Sequence, residues 1–179
     1  MVRNIFFKYL NGSSILVSGL LLTIFSFLLT GCFDDNIDAT AQQEEEAFYR
    51  QLGVDTVLIK QHLANNNITD AKTTLGMIWY TEQVVGTGVQ AQAGNQVKVQ
   101  YALSALDDST TLDNGTLGPF ILGSGAVING FDYAIRTMKV GGKSRFYIPS
   151  GLAYGTTGSG TTIKPNMILV FDIELLEAL

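Results

Sequence analysis

The sequence predicts an α+β domain, an antiparallel β-sheet wrapped on one short α-helix. Three observations carry this. Val97, Val99 and Tyr101 alternate with Lys98 and Gln100, the two-residue period of a half-buried strand. Met167, Leu169, Phe171, Ile173 and Leu175 alternate with polar residues in the same way near the C-terminus. Between them lies a single short helical stretch, Gly130 to Met138, with Asn129 as its N-cap and Gly141-Gly142 as its stop.

Composition bounds the rest. The 179 residues are 46% hydrophobic and 15% charged, which excludes a disordered chain. A net charge of −5 excludes a general nucleic-acid binder, because phosphate binding needs clustered Lys and Arg. One Cys and one His exclude a disulfide framework and a Cys/His zinc site.

The N-terminus reads as an address. Arg3 and Lys8 precede a long uncharged run that ends at Leu29-Thr30-Gly31-Cys32. A positive start, an apolar core and small residues before a cut describe a secretory signal over residues 1–31. The four residues LTGC resemble the bacterial lipobox, in which the Cys becomes the lipid-bearing first residue. Cys32 is therefore the expected lipidation site, and a membrane is the expected partner. An uncleaved transmembrane anchor is the alternative, since the run is long enough to span. Removing residues 1–31 takes away Arg3 and Lys8 and no acid, which moves the charge from −5 to −7. Phe33, where an inner-membrane lipoprotein of some Gram-negative bacteria has Asp, points to the outer membrane facing the periplasm. Asp34 and Asp35 resemble surface-export signals of some bacterial groups, which leaves surface exposure open.

Residues 32–41 read as an acidic tether and residues 42–74 as a helical arm. In the arm a first helix covers 42–52, with Glu44, Glu45 and Glu46 in its first turn, where the dipole favours acids. Gly53 closes it and Asp55 caps a second helix ending at Asn65-Asn66-Asn67, with Val54, Leu58 and Leu63 as its apolar stripe. His62, the sole histidine, is expected to be an ordinary surface or half-buried residue. From residue 75 the pattern is strands: Leu75 to Thr81, Val97 to Leu106, a short return at Thr111 to Asp113, a turn at Asn114-Gly115, and Pro119 to Leu122. Ser144, Phe146 and Ile148 then face one way, and residues 150–165 form a Gly-, Thr- and Ser-rich loop.

Gly151-Leu-Ala-Tyr-Gly155, Thr162-Ile-Lys-Pro165 and Leu169-Val-Phe-Asp-Ile-Glu-Leu175 together resemble the FKBP-type peptidyl-prolyl cis-trans isomerases, here in a bacterial lipoprotein form. Upstream, Val127-Ile-Asn-Gly-Phe131, Met138-Lys-Val-Gly141 and Val97-Lys-Val-Gln-Tyr101 are similar to further family blocks, so the resemblance covers about residues 76–179. It implies a strongly twisted antiparallel sheet half-wrapped around one short helix, with an apolar pocket for a proline side chain. Carried over residue by residue, it implies that Asp113, Tyr154, Phe171 and Ile128 serve the reaction. Tyr101, Leu112, Phe120, Val127, Phe131 and Ile163 would bind substrate. Phe131 stands where the family usually has Trp, and Leu112 where an aromatic residue precedes the Asp. The segment Asn114 to Gly118 is short and offers no Arg to Asp113.

The implied activity is isomerisation of X-Pro bonds in exported or envelope polypeptides, with proline-containing clients as partners and no cofactor or metal. A pocket-bearing chaperone or scaffold without turnover is the rival. A third reading makes residues 42–70 an interaction arm. The arm is too short for a large dimerisation domain, so a monomer is expected.

Overall fold

The computed structural model describes residues 35–74 and 77–179. The leader and Cys32 lie outside the described residues. The chain divides into two compact units, residues 1–41 and 42–179, and of the first only residues 35–41 are described.

The elements in order are α1 (Asp35–Asn65), β1 (Lys72–Thr74), β2 (Ile78–Val84), β3 (Gln96–Ala105), β4 (Asp108–Ile121), α2 (Asn129–Arg136), β5 (Lys143–Ile148) and β6 (Leu169–Ala178). A 3-10 turn, Ser150–Leu152, follows β5. The strands form one antiparallel sheet in the order β1-β2-β5-β6-β3-β4. The expected α+β architecture is present.

One face of the sheet packs on α2. Val97, Val99 and Leu103 of β3, Phe146 and Ile148 of β5, and Phe171, Ile173 and Leu175 of β6 share a core with Phe131, Ala134 and Ile135 of α2. Strand alternation sends the intervening residues the other way. Tyr147 and Val170, cross-strand partners, pack with Ile59 and Leu63 of α1 on that second face.

The N-terminal expectations need correction. Residues 35–41 are helical, where irregular chain was expected, and α1 runs unbroken through Gly53. A mid-helix glycine costs only about 1 kcal/mol, and the packing of Ile59 and Leu63 outweighs it. Glu44, Glu45 and Glu46 are therefore mid-helix residues, all exposed. Asp55 caps nothing on its own helix: it is buried and bound to Ser150. The buried stripe is Asp55, Ile59 and Leu63, while Val54 and Leu58 face outward. The helix does end at the asparagine run: Asn67 takes a φ of 56° and Ile68 N–H bonds back to Leu63 O at 2.9 Å. The arm also contributes a strand, because β1 pairs with β2 through Thr73↔Trp79. The strand expected from Leu75 begins at Ile78 and runs to Val84.

Two further boundaries differ. The short strands and Asn114-Gly115 turn expected between 111 and 122 are one strand, β4. Its partner register moves from Val97↔Phe120 to Val99↔Leu117, so β4 carries an extra residue there. Gly118 sits in that bulge with φ 113°, and a Cβ on it would lie 2.5 Å from Val97 O. The Gly118-Pro119 bond is cis. In α2 the N-cap position is Ile128, with no side-chain cap bond, and not Asn129. Instead Asp132, in the first turn, accepts the Gly123 N–H at 2.5 Å and pairs with Arg136.

Candidate active site

The site grows out of the α2 face. β3 and β6 run side by side with Leu103 opposite Phe171 and Tyr101 opposite Ile173. Tyr101 and Phe171 are therefore diagonal neighbours on one face. Phe131 reaches the same spot from α2. The Phe131 and Phe171 rings lie edge to face, centroids 4.9 Å apart. Tyr101 meets Phe131 at 6.0 Å and 82°, and Phe171 at 6.3 Å. Such geometry matches the ring quadrupoles and fixes the three rings against one another. Phe131 and Phe171 are 3% and 5% exposed, and Tyr101 is half-buried, so it forms the accessible wall.

Asp113 comes from β4, opposite Leu103. The register then moves to Ser104↔Thr111, which makes Leu112 the extra residue of a second bulge. That bulge lets Leu112 pack on the α2-side core although its neighbour Asp113 belongs to the same face. Asp113 Oδ2 accepts the Tyr101 hydroxyl proton at 2.6 Å. This bond, with burial and the Asp113 charge behind it and a smaller contribution from nearby Tyr154, pushes the Tyr101 phenol up to about 12. The acid that lacks an Arg on β4 thus has a phenol as its partner.

Phe120, Val127, Ile128 and Ile163 are half-buried and pack on the same core, as do Leu152 and Ala153. Ile128 ends the loop before α2 with φ −59° and ψ 147°, and its carbonyl takes the first helical N–H groups. Its own N–H donates to no group among the described residues. Tyr154 is 38% exposed and sits in a tight loop, where Gly155 N–H bonds to Ser150 O at 2.8 Å. Of the ten residues singled out from the sequence, two are buried in one core and six pack at its margin, while Asp113 and Tyr154 are exposed. Direct contacts join Tyr101, Phe131, Phe171 and Asp113. A separate cavity of about 450 Å³ lies on the α1 side, bordered by His62, Arg145, Tyr147 and Asp172. It shares no residue with the ring cluster. His62 there is half-buried, its ring 5.6 Å from that of Tyr147.

The residues that sequence reasoning missed are Asp55 and Ser150. Both are fully buried, and they bond to each other across 95 positions. The four-residue spacing of Asp55, Ile59 and Leu63 was the available signal, but it is obscured by the apolar Val54, Val57 and Leu58 beside it.

Comparison with known proteins agrees with this geometry. The family model for FKBP-type peptidyl-prolyl cis-trans isomerases matches residues 88–176. FK506-binding protein 4 of Dictyostelium discoideum is 41% identical over 99 residues, covering 54% of this chain and 27% of that protein. A peptidyl-prolyl cis-trans isomerase from Pseudomonas syringae superposes with a TM-score of 0.61 at 32% identity, covering 73% of this chain and 94% of that one. FkpA from Escherichia coli gives 0.60 at 25% identity, covering 92% of this chain and 74% of that one. This chain belongs to the FKBP-type peptidyl-prolyl cis-trans isomerases. It spans about a quarter to a third of the length of the first curated relatives it matches.

Proposed function

We propose that this protein catalyses cis-trans isomerisation of X-Pro bonds in polypeptides of a bacterial envelope, and that a lipid on Cys32 holds it at the membrane. The observation that carries the catalytic reading is the Tyr101–Phe131–Phe171 ring cluster with Asp113 bonded to its rim. The X-Pro amide resists rotation by roughly 18–20 kcal/mol, so unaided exchange takes tens to hundreds of seconds. A gain of about 10⁴ requires about 5.4 kcal/mol. No nucleophile is needed. The twisted amide has lost resonance and polarity, and a dry aromatic surface holds it better than water does.

In this reading Phe131 and Phe171 receive the prolyl ring, with Phe120, Leu112, Val127 and Ile163 at the margin. The Ile128 N–H and the Tyr154 hydroxyl donate to substrate carbonyls, each contributing roughly 1 kcal/mol net. Asp113 orients the Tyr101 hydroxyl by accepting its hydrogen bond. Alignment of the peptide across these donors supplies the remainder. The test is turnover of short X-Pro peptides by the full chain in detergent, with Tyr154→Phe and Phe171→Leu as variants. Loss in both supports the assignment. Undiminished turnover in either removes that residue from the mechanism.

The lipid anchor rests on the Leu29-Thr30-Gly31-Cys32 run. An outer-membrane site facing the periplasm follows from Phe33 in the same way. Incorporation of labelled fatty acid by cells making the wild type, and its loss in Cys32→Ser, is the expected result. Equal labelling of both would overturn it.

A further inference from the structure

Among the described side chains of α1, Asp55 is the one carboxylate with no exposure at all. A buried polar group is costly unless it is hydrogen-bonded, and this carboxyl group is held by three donors. Its Oδ2 accepts both the Ser150 N–H and the Ser150 hydroxyl at 2.7 Å. Its Oδ1 accepts Gln51 Nε2–H at 2.8 Å, one turn earlier. Ser150 is also fully buried, so nothing replaces Asp55 if it is removed.

Ser150 in turn organises the loop that follows. Its carbonyl accepts the Ala153 N–H at 2.9 Å and the Gly155 N–H at 2.8 Å, folding Ser150–Gly155 back on itself. Tyr154 sits inside that closed turn. A second contact from the same helix reinforces the first. Phe48 lies against Gly151 so closely that a Cβ there would sit 2.7 Å from its ring. Two points on α1, Phe48 and Asp55, thus grip the first two residues of the loop. A helix that only covered the sheet would be served by an apolar residue at 55, as it is at 59 and 63.

We propose that Asp55 is a positioning residue for the isomerase site: it latches Ser150 and thereby sets the Tyr154 hydroxyl at the rim of the proline pocket. This rests on the isomerase reading above. It makes the N-terminal helix a working part of the site and not a spacer.

The experiment compares kcat/KM on an X-Pro peptide for the full chain in detergent, as wild type, Asp55→Ala, Asp55→Asn, Ser150→Ala and Tyr154→Phe. Asp55→Ala should lose about five- to tenfold, the equivalent of roughly one hydrogen bond at the transition state. Asp55→Asn keeps one acceptor oxygen and should recover part of it. In a Tyr154→Phe background, Asp55→Ala should cost nothing further, because the group it positions is gone. Amide exchange at Ala153 and Gly155 should accelerate in Asp55→Ala. Val57→Ala, on the exposed side of α1, should match wild type. Where Asp55→Ala does not fold, Ser150→Ala and Asp55→Asn carry the same comparison. Wild-type activity that Asp55→Asn and Ser150→Ala leave intact, or losses additive with Tyr154→Phe, would overturn the latch alone. An inactive wild type would overturn the isomerase reading itself, and the latch with it.

Discussion

Among the described residues, the sheet is sealed on its α2 side by seventeen buried hydrophobic residues and on its α1 side by six. The first cluster is continuous from β2 to β6 and carries the aromatic site at its edge. The second is small, is bordered by the cavity at His62 and Arg145, and lies beside the buried carboxylate of Asp55. The sheet therefore owes its stability to one face and receives a polar attachment on the other. That attachment is made where the loop bearing Tyr154 begins, which is the contact through which the proposed latch would couple the weaker face to the candidate site.

Phe146→Ala should have the largest effect, because its ring is fully buried on the α2 side and stacked on Tyr80 at 5.4 Å. A loss of about 3–5 kcal/mol is expected, read by denaturant unfolding. Ile59→Ala empties the centre of the α1 cluster and should cost about 2–3 kcal/mol, toward the low end for such truncations. Only one side of α1 is packed, so the helix can settle into the gap. Equal losses for the two would break the comparison.

The Tyr101–Asp113 bond should be worth about 1 kcal/mol, measured as the destabilisation in Tyr101→Phe. It also has a pH signature. The folded phenol titrates above its ordinary value of 10.0, at about 12. Its contribution is therefore fully present below the unfolded value and disappears as pH rises through about 12. Asp113→Asn removes the first cause of the shift and should bring the Tyr101 titration, followed by ultraviolet absorbance, back toward 10.0. An unchanged titration would remove Asp113 as the cause.

Leu58→Ala should have the smallest effect, within about 0.5 kcal/mol, since the residue is 43% exposed. A cost near that of Ile59→Ala would restore the stripe read from the sequence and contradict the packing.

The α2 side was legible in the sequence because its signals are local. Alternation in Val97–Tyr101 and Met167–Leu175 set the strand faces, and motif blocks placed the aromatic residues that the fold then brought together. The α1 side was not, for physical reasons. Gly53 followed by Asp55 has the chemistry of a helix stop and a fresh start, and only long-range packing shows that the helix continues. Asp55 is the type of residue placed at caps and surfaces, and its partner lies 95 positions away. The bulges at Leu112 and Gly118 were hidden because Asn114-Gly115 carries a strong turn signal, which pairing with β3 overrides. Asp113 was legible as a candidate site residue, but not its bond to Tyr101, which depends on that pairing.

Catalysis is tested most simply by refolding of a protein limited by proline isomerisation, with the full chain added at far below stoichiometric amounts. Acceleration at catalytic concentration is expected, reduced in both Phe171→Leu and Tyr154→Phe. No acceleration by the wild type, together with intact binding of an X-Pro peptide, would contradict it and leave a binding module without turnover.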